Sequence, residues 1–164
     1  MKKIPWIIFG AMLLFAILYV TSTVAHLPPL VASHFDADGN PNSYMTRSFY
    51  TKFVLGMSVG LPIVMVALLT VVYSNARDMK LPNRDYWLAP ERARDSLAFL
   101  SEQGLWFGCI FVVFLACVDT MLVKANAVSP PAFPTTLFVA MLIFFFCAVG
   151  AWFMRMLRRF RAPS

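Results

Sequence analysis

The segment SHFDADGNPNS holds the side chains of this sequence that are best suited to bind a metal ion. An EF-hand calcium loop uses oxygen ligands at alternate positions, and Asp36, Asp38 and Asn40 match the first three of them. The same loop requires a glycine at its sixth position and a bidentate glutamate at its twelfth. Here those positions hold Pro41 and Arg47. The sequence therefore argues against an EF-hand and predicts that the segment folds without calcium.

A looser site for a divalent ion is the alternative, because oxygen ligands suit hard cations. Its ligands would be Asp36, Asp38, Asn40 and Asn42, with His34 as a further ligand. The same residue types also form turns without any ion. Asp36 and Asp38 can bond to nearby backbone groups, Gly39 allows a positive φ, and Pro41 fixes φ. We favour the turn, so no metal site is predicted.

Asp119 is the second group with chemical potential, because it lies in a strongly apolar stretch. A carboxylate at the centre of a membrane helix costs about 2.5–3.5 kcal/mol on insertion scales, so we expect it to face other helices. The sequence offers His26 and Lys124 as intramembrane polar partners near the same depth. A structural polar contact is the favoured interpretation, and an ion or proton relay is the alternative.

No motif in the chain supports catalysis. The sequence contains no Ser-His-Asp spacing, no His-Glu-x-x-His helix and no glycine loop that could cradle phosphate. Cys109, Cys117 and Cys147 lie in apolar stretches, without the paired spacing of a zinc site or a disulfide framework. We therefore predict a protein that is not an enzyme and has neither a catalytic residue nor a cofactor.

The apolar composition defines the elements that must position these groups. The chain of 164 residues is 60% hydrophobic and 13% charged, whereas soluble domains are roughly 45–50% apolar and about 25% charged. Four apolar runs each approach the ~20 residues that cross a bilayer as a helix, and they lack the alternation of barrel strands. The sequence predicts an all-α polytopic membrane protein, one domain over residues 1–164, with helices at about 4–25, 53–73, 105–123 and 135–154.

The first apolar run has a second interpretation. Lys2 and Lys3 precede it and small residues end it at Ala25, as in a secretory signal peptide. The run is longer than the usual apolar region of about 7–15 residues. We therefore expect a retained membrane anchor.

The distribution of lysine and arginine predicts the orientation. Basic residues precede the first helix, follow the fourth, and lie between the second and third, whereas the other two connections hold few. Cytoplasmic flanks collect such residues, so both termini and the loop 74–104 should be cytoplasmic, and the loop 26–51 should lie outside. The net charge of +6 then needs no nucleic acid to explain it, and the expected partner of these flanks is the lipid bilayer.

The predicted cytoplasmic loop contains an amphipathic stretch. Pro90 suits a first helical turn, and Gly104 suits a turn, so we expect a short interfacial helix over about 90–103 between the second and third spans. Tyr86 and Trp87 suit the headgroup level. A surface that docks a partner is the alternative interpretation of this stretch.

The residues LPPLVASHFDADGNPNSYMTR resemble the signature of the bacterial membrane proteins grouped as domain of unknown function 1648. The likeness is carried by Leu27-Pro28, His34-Phe35, Gly39 and Pro41, and it covers the first two predicted helices with their loop. It implies a multi-pass protein of the bacterial inner membrane. The best-described relatives are immunity proteins against a sporulation-delay toxin that also act as signal receptors, but their second region differs from the one here.

Together these observations predict a receptor-like, immunity-like or accessory membrane subunit that recognises a peptide or protein, or that belongs to a larger membrane complex. The candidate binding residues are those of the outer loop and of the aromatic pair, namely His34, Phe35, Asp36, Asp38, Gly39, Pro41, Tyr86 and Trp87. The alternative function is a small ion-coupled transporter that uses Asp119.

Overall fold

The computed structural model of the chain describes residues 3–74 and 81–161. Residues 1–2, 75–80 and 162–164 lie outside the described residues, and they include Lys2, Arg77 and Lys80, which contributed to the predicted orientation. The elements are, in chain order, α1 (Ile4–Val24), β1 (Leu30–Phe35), β2 (Pro41–Thr46), α2 (Arg47–Leu55), a π-helical segment (Gly56–Gly60), α3 (Leu61–Ser74), α4 (Arg84–Trp87), α5 (Pro90–Ala125) and α6 (Thr135–Arg159).

Four helical stretches are long and apolar enough to cross a membrane, which confirms the predicted number of spans and the mostly helical fold. They are Ile4–Val24, Arg47–Tyr73, Pro90–Ala125 and Thr135–Arg159. One end of the bundle carries the β1–β2 hairpin, and we call it the hairpin end. The other carries the arginines that close α6, and we call it the arginine end.

The core of the bundle lies where α1, α3 and α5 meet. Phe9, Val66 and Val112 are buried there. Gly108 lies at the crossing, because a Cβ at this position would lie 2.6 Å from Val66 Cγ2 and 2.8 Å from Phe9 Cε2. By contrast, α6 packs on α5, and no residue in its apolar window is buried. The fold is thus a tight group of three spans with a peripheral fourth.

Gly56 and Gly60 are four residues apart, a spacing that is typical of close helix packing, but the structure does not show close packing at either glycine. Among the described residues, no side chain lies within 4 Å of a Cβ built at either glycine. Both belong to the π-helical segment, where the N–H of Leu61 bonds to the carbonyl of Gly56. This wide turn ends two residues before Pro62, which has no N–H to donate within a regular helix.

The predicted interfacial helix over 90–103 is wrong, because α5 runs without interruption from Pro90 to Ala125. Gly104 lies inside this helix, where a Cβ would be 3.5 Å from Leu69 and from Tyr73. Packing against α3 therefore offsets the low helix propensity of glycine. At about 1.5 Å per residue, its 36 residues span about 54 Å, so the helix extends beyond the ~30 Å hydrocarbon layer. The short helix between the second and third spans is α4.

The predicted outer loop is largely regular. Its strands pair antiparallel, with Leu30 opposite Thr46 and Phe35 opposite Pro41, and irregularities fall between Ala32 and Phe35. The second span begins at Arg47 rather than at 53, because the Thr46 hydroxyl accepts a hydrogen bond from the Phe49 N–H and caps the helix (3.3 Å).

Candidate functional site

A groove of about 460 Å³ lies at the hairpin end, between the hairpin, α5 and the start of α6. It brings together three of the predicted binding residues, His34, Phe35 and Asp36. The other residues that line it are Ser33, Ala37, Val118, Leu122, Phe133, Thr135, Phe138 and Val139. Most of the groove is therefore apolar, with polar groups on the hairpin and at Thr135.

The tip of the hairpin is organised by the carboxylate of Asp36. Its Oδ1 accepts hydrogen bonds from the backbone N–H of Asp38 (3.0 Å) and of Asn40 (2.8 Å). The bond from the Asn40 N–H is the main reason why the pKa of Asp36 lies below its usual value. Asp36 thus acts as a turn former. Within residues 3–74 and 81–161, no cluster of three or more His, Cys, Asp or Glu is placed to hold a metal ion.

Gly39 fixes the hairpin tip to the chain that precedes α6. Its φ is +85°, and a Cβ there would overlap the carbonyl oxygen of Phe133. The N–H of Phe133 donates to the Gly39 carbonyl at 2.9 Å. Phe35 stacks on Phe133 with ring centroids 5.2 Å apart. The sequence predicted a turn at Gly39, but no sequence pattern indicated its contact with Phe133.

Asn126, which ends α5, binds the outer edge of β1 through its side-chain amide. Its Oδ1 accepts from the Ala32 N–H (2.7 Å), and its Nδ2 donates to the Ala32 carbonyl (2.9 Å). A second bond from Nδ2 reaches the Leu122 carbonyl (2.9 Å). Sequence reasoning missed this residue. An asparagine at a helix end is a common signal, but it does not identify a partner on a distant strand.

Arg47, at the position where an EF-hand would need glutamate, donates hydrogen bonds to backbone carbonyls instead. Its Nη1 donates to the carbonyls of Leu27 (3.0 Å) and Ala25 (3.3 Å), just beyond the end of α1. Its own N–H donates to the Pro29 carbonyl at 2.9 Å. Arg47 therefore ties the start of α2 to the end of α1, and the hairpin is held at its base as well as at its tip.

Thr135 contributes a polar atom to the groove wall. Its Oγ1 is buried and has no hydrogen-bond partner among the described residues. Buried hydroxyls are usually bonded. A ligand in the groove could provide the missing donor or acceptor.

Asp119 is 2% exposed and receives a hydrogen bond from the hydroxyl of Tyr50 at 2.7 Å. The expected partners, His26 and Lys124, are not its partners. The His26 ring lies 3.1 Å from the Ser22 carbonyl, and Lys124 is exposed. The prediction failed because the second span was thought to begin after Tyr50, whereas Tyr50 lies inside α2.

Tyr86 and Trp87 lie at the arginine end, whereas the groove lies at the hairpin end. The Trp87 Nε1–H donates to the Arg161 carbonyl (3.2 Å), and the Arg159 guanidinium lies 4.3 Å from the Trp87 ring centroid. The guanidinium of Arg92 lies 3.9 Å from the Tyr86 ring centroid. The aromatic pair therefore binds arginines of its own chain, and it fastens the end of α6 to α4.

No protein-family model, curated protein or solved structure matches the chain. The likeness to domain of unknown function 1648 therefore stays a prediction from residues 27–47.

Proposed function

We propose that the chain is a non-enzymatic, multi-pass protein of the bacterial inner membrane whose groove at the hairpin end recognises a peptide or protein. The observation that carries this proposal is the groove of about 460 Å³, whose walls come from separate parts of the chain. Basic residues at the arginine end support an orientation with both termini in the cytoplasm and the groove outside.

The walls of the groove are fixed before any ligand arrives. Asn126 holds β1, Gly39 holds the hairpin tip against Phe133, and Arg47 holds the base of the hairpin. A binding site that is already ordered loses less conformational freedom when a ligand binds. This construction suits recognition better than it suits a moving gate.

The lining of the groove favours an apolar side chain flanked by hydrogen-bonding groups. Phe35, Phe133 and Phe138 provide aromatic surface, and the Thr135 hydroxyl lies among them without a partner in the described part of the chain. The negative charge of Asp36 at the rim favours a ligand with a nearby cation. An extended peptide with a bulky apolar residue next to lysine or arginine meets these requirements.

Peptide selection tests the proposal. A displayed library of short random peptides would be selected against the protein in nanodiscs, and the enriched peptides would be measured against single variants. Phe35→Ala should weaken binding at least tenfold, which is about 1.4 kcal/mol. Tyr44→Ala is the matched control, because Tyr44 is an exposed aromatic residue of the same hairpin that does not line the groove. Equal binding to the wild type and to Phe35→Ala would disprove the proposed site.

A small ion-coupled transporter is the second candidate, and one observation favours it. The Oδ2 atom of Asp119 is buried and has no hydrogen-bond partner among the described residues. Ion or proton flux into vesicles that contain the protein tests this function. Under the receptor proposal, Asp119→Asn folds and still binds the selected peptides. A folded Asp119→Asn variant that loses a flux present in the wild type would favour the transporter.

A further inference from the structure

A second cavity lies on the flank of the bundle, toward the arginine end, and we call it the flank cleft. Its volume is about 490 Å³, and residues of α1, α5 and α6 line it. Its polar end is formed by Gln103, Trp106, Trp152 and Arg155. The rest of its wall is made of Met12, Cys109, Ile110, Val113, Ala148 and Ala151.

Gln103 gives the flank cleft a buried donor. The residue is 1% exposed, and its Nε2 has no hydrogen-bond acceptor among the described residues. Its backbone carbonyl accepts from the Trp152 Nε1–H at 3.0 Å, which holds α6 beside α5 at this level. A buried amide that donates to nothing is uncommon, and an acceptor from a bound molecule would satisfy it.

Arg155 adds a positive charge at the same level. It lies three residues after Trp152 in α6, so both side chains project from one face of the helix. Arg155 is exposed, and no described residue pairs with its guanidinium. The carboxylate nearby in the sequence, Glu102, accepts a hydrogen bond from the Trp106 Nε1–H (3.5 Å). The mouth of the cleft thus combines a free cation, a buried amide and two indole rings, which suit the headgroup level of a bilayer.

The flank cleft continues along α5 into the apolar part of the bundle. A further cavity of about 210 Å³ shares Ile110, Val113 and Ala148 with it and extends to Cys117. The axial distance from Gln103 to Cys117 is about 21 Å at 1.5 Å per residue. One leaflet of the hydrocarbon layer is about 15 Å thick, half of the ~30 Å total, so the two adjoining cavities are together long enough to hold an acyl chain.

We propose that the flank cleft binds one anionic phospholipid. Arg155 and Gln103 hold the phosphate and its ester oxygens, and an acyl chain lies along α5 between α1 and α6. Free phosphate would occupy only the polar end and would leave the apolar channel empty, whereas a phospholipid fills both. This inference is independent of the peptide proposal, because the groove and the flank cleft lie at opposite ends of the bundle.

Quenching of tryptophan fluorescence by brominated lipids tests the proposal. The protein would be reconstituted in phosphatidylcholine vesicles that contain a minor fraction of either brominated phosphatidylglycerol or brominated phosphatidylcholine with the same acyl chains. Trp106 and Trp152 line the cleft, whereas Trp6 and Trp87 do not, so Trp6 and Trp87 are replaced by phenylalanine to remove their emission. We expect stronger quenching by the anionic lipid.

Two substitutions and a control locate the effect. Arg155→Gln should reduce the preference for the anionic lipid about fivefold, equivalent to about 1 kcal/mol per basic residue near the surface. Gln103→Leu should also weaken the preference while the fold is retained, since leucine suits an apolar wall. Arg158→Gln is the matched control, because Arg158 is an exposed arginine of the same helix that does not line the cleft.

The experiment has outcomes that would overturn the proposal. Equal quenching by the two lipids would show that the cleft does not select an anionic headgroup. An equal loss in Arg155→Gln and Arg158→Gln would show attraction to the membrane surface in general. Competition by millimolar inorganic phosphate would indicate a site for the free ion. Loss of quenching on dimerisation would indicate that a second copy covers the cleft.

Discussion

Asn126 replaces a strand partner at the open edge of the hairpin. Ala32 is fully buried, and the Asn126 amide is the partner of both its N–H and its carbonyl. Asn126→Ala leaves these two groups without partners. Each buried polar group without a hydrogen bond lowers the free energy of unfolding by about 1–3 kcal/mol. We expect a loss of about 3 kcal/mol, measured as a lower thermal unfolding midpoint in detergent. Asn42→Ala, at an exposed position of β2, should leave the midpoint unchanged. A midpoint shift of equal size in both variants would contradict this account.

The pair formed by Tyr50 and Asp119 gives a second prediction at the residue scale. Tyr50→Phe leaves both carboxyl oxygens of Asp119 without a donor among the described residues, and such a bond contributes about 2 kcal/mol. Asp119→Asn keeps an acceptor oxygen for Tyr50 and should cost less. Thermal unfolding should therefore rank Tyr50→Phe below Asp119→Asn in stability.

Tyr19→Phe is the control for that ranking. The Tyr19 hydroxyl lies 2.7 Å from the hydroxyl of Thr120, a neutral group that also donates to the Ala116 carbonyl (2.7 Å). Its loss should cost less than the loss of Tyr50. If Tyr50→Phe were no less stable than Tyr19→Phe, the contact between Tyr50 and Asp119 would contribute nothing special to the fold.

At the scale of elements, the hairpin tip should respond to acid through Asp36. The pKa of this carboxyl is lower in the folded hairpin than in the unfolded chain, because backbone N–H groups bind its ionised form. Its stabilising contribution is therefore complete above the unfolded value of about 3.9 and disappears as the pH falls through the lower folded value.

Hydrogen exchange at the Asn40 N–H measures this effect. In the wild type, protection of this N–H should decrease as the pH falls below about 3.9. In Asp36→Asn, the amide oxygen still accepts the bond, so protection should not depend on pH. Addition of calcium or a chelator should change neither result, because the turn forms without an ion. Protection in the wild type that is flat between pH 2 and 6 would contradict the role given to Asp36.

The attachment of the hairpin to the start of α6 depends on Gly39. Gly39→Ala would force a side chain into positive φ and into the Phe133 carbonyl, so the tip should separate from the Phe133 backbone. We expect a lower unfolding midpoint and loss of the peptide binding assigned to the groove. Gly10→Ala is the matched control, since no atom of another described residue lies within 4 Å of a Cβ built there. Retained binding in Gly39→Ala would show that the groove does not need this attachment.

The elements differ in how well the sequence predicted them, and the reasons are physical. The long apolar runs predicted four spans, because the length of an apolar run depends only on consecutive residues. The continuity of α5 through Gly104 was missed, because it depends on contacts with Leu69 and Tyr73 that no local pattern encodes. The turn at Asp36 was predicted from residue types, whereas the bonds that Asn126 and Phe133 make to the hairpin join segments distant in the sequence.

At the scale of the whole molecule, the two ends of the bundle have different characters. The hairpin end holds the rigid groove, and the arginine end holds basic residues, of which Arg155, Arg158 and Arg159 belong to the last turns of α6. An excess of lysine and arginine on one side of a membrane protein favours the cytoplasm for that side. The receptor proposal depends on this orientation, because a groove that faces the cytoplasm could not meet an external peptide.

Cysteine labelling in intact cells tests the orientation. In a variant that lacks the three native cysteines, Ser43→Cys should react with a membrane-impermeant maleimide, because Ser43 is an exposed residue of β2 at the hairpin end. Asp95→Cys is the matched probe at the other end, since Asp95 is exposed near the start of α5. It should react only after the membrane is opened, and its substitution removes no positive charge. The reverse pattern would place the groove in the cytoplasm, and the ligand would then have to be an internal peptide or protein.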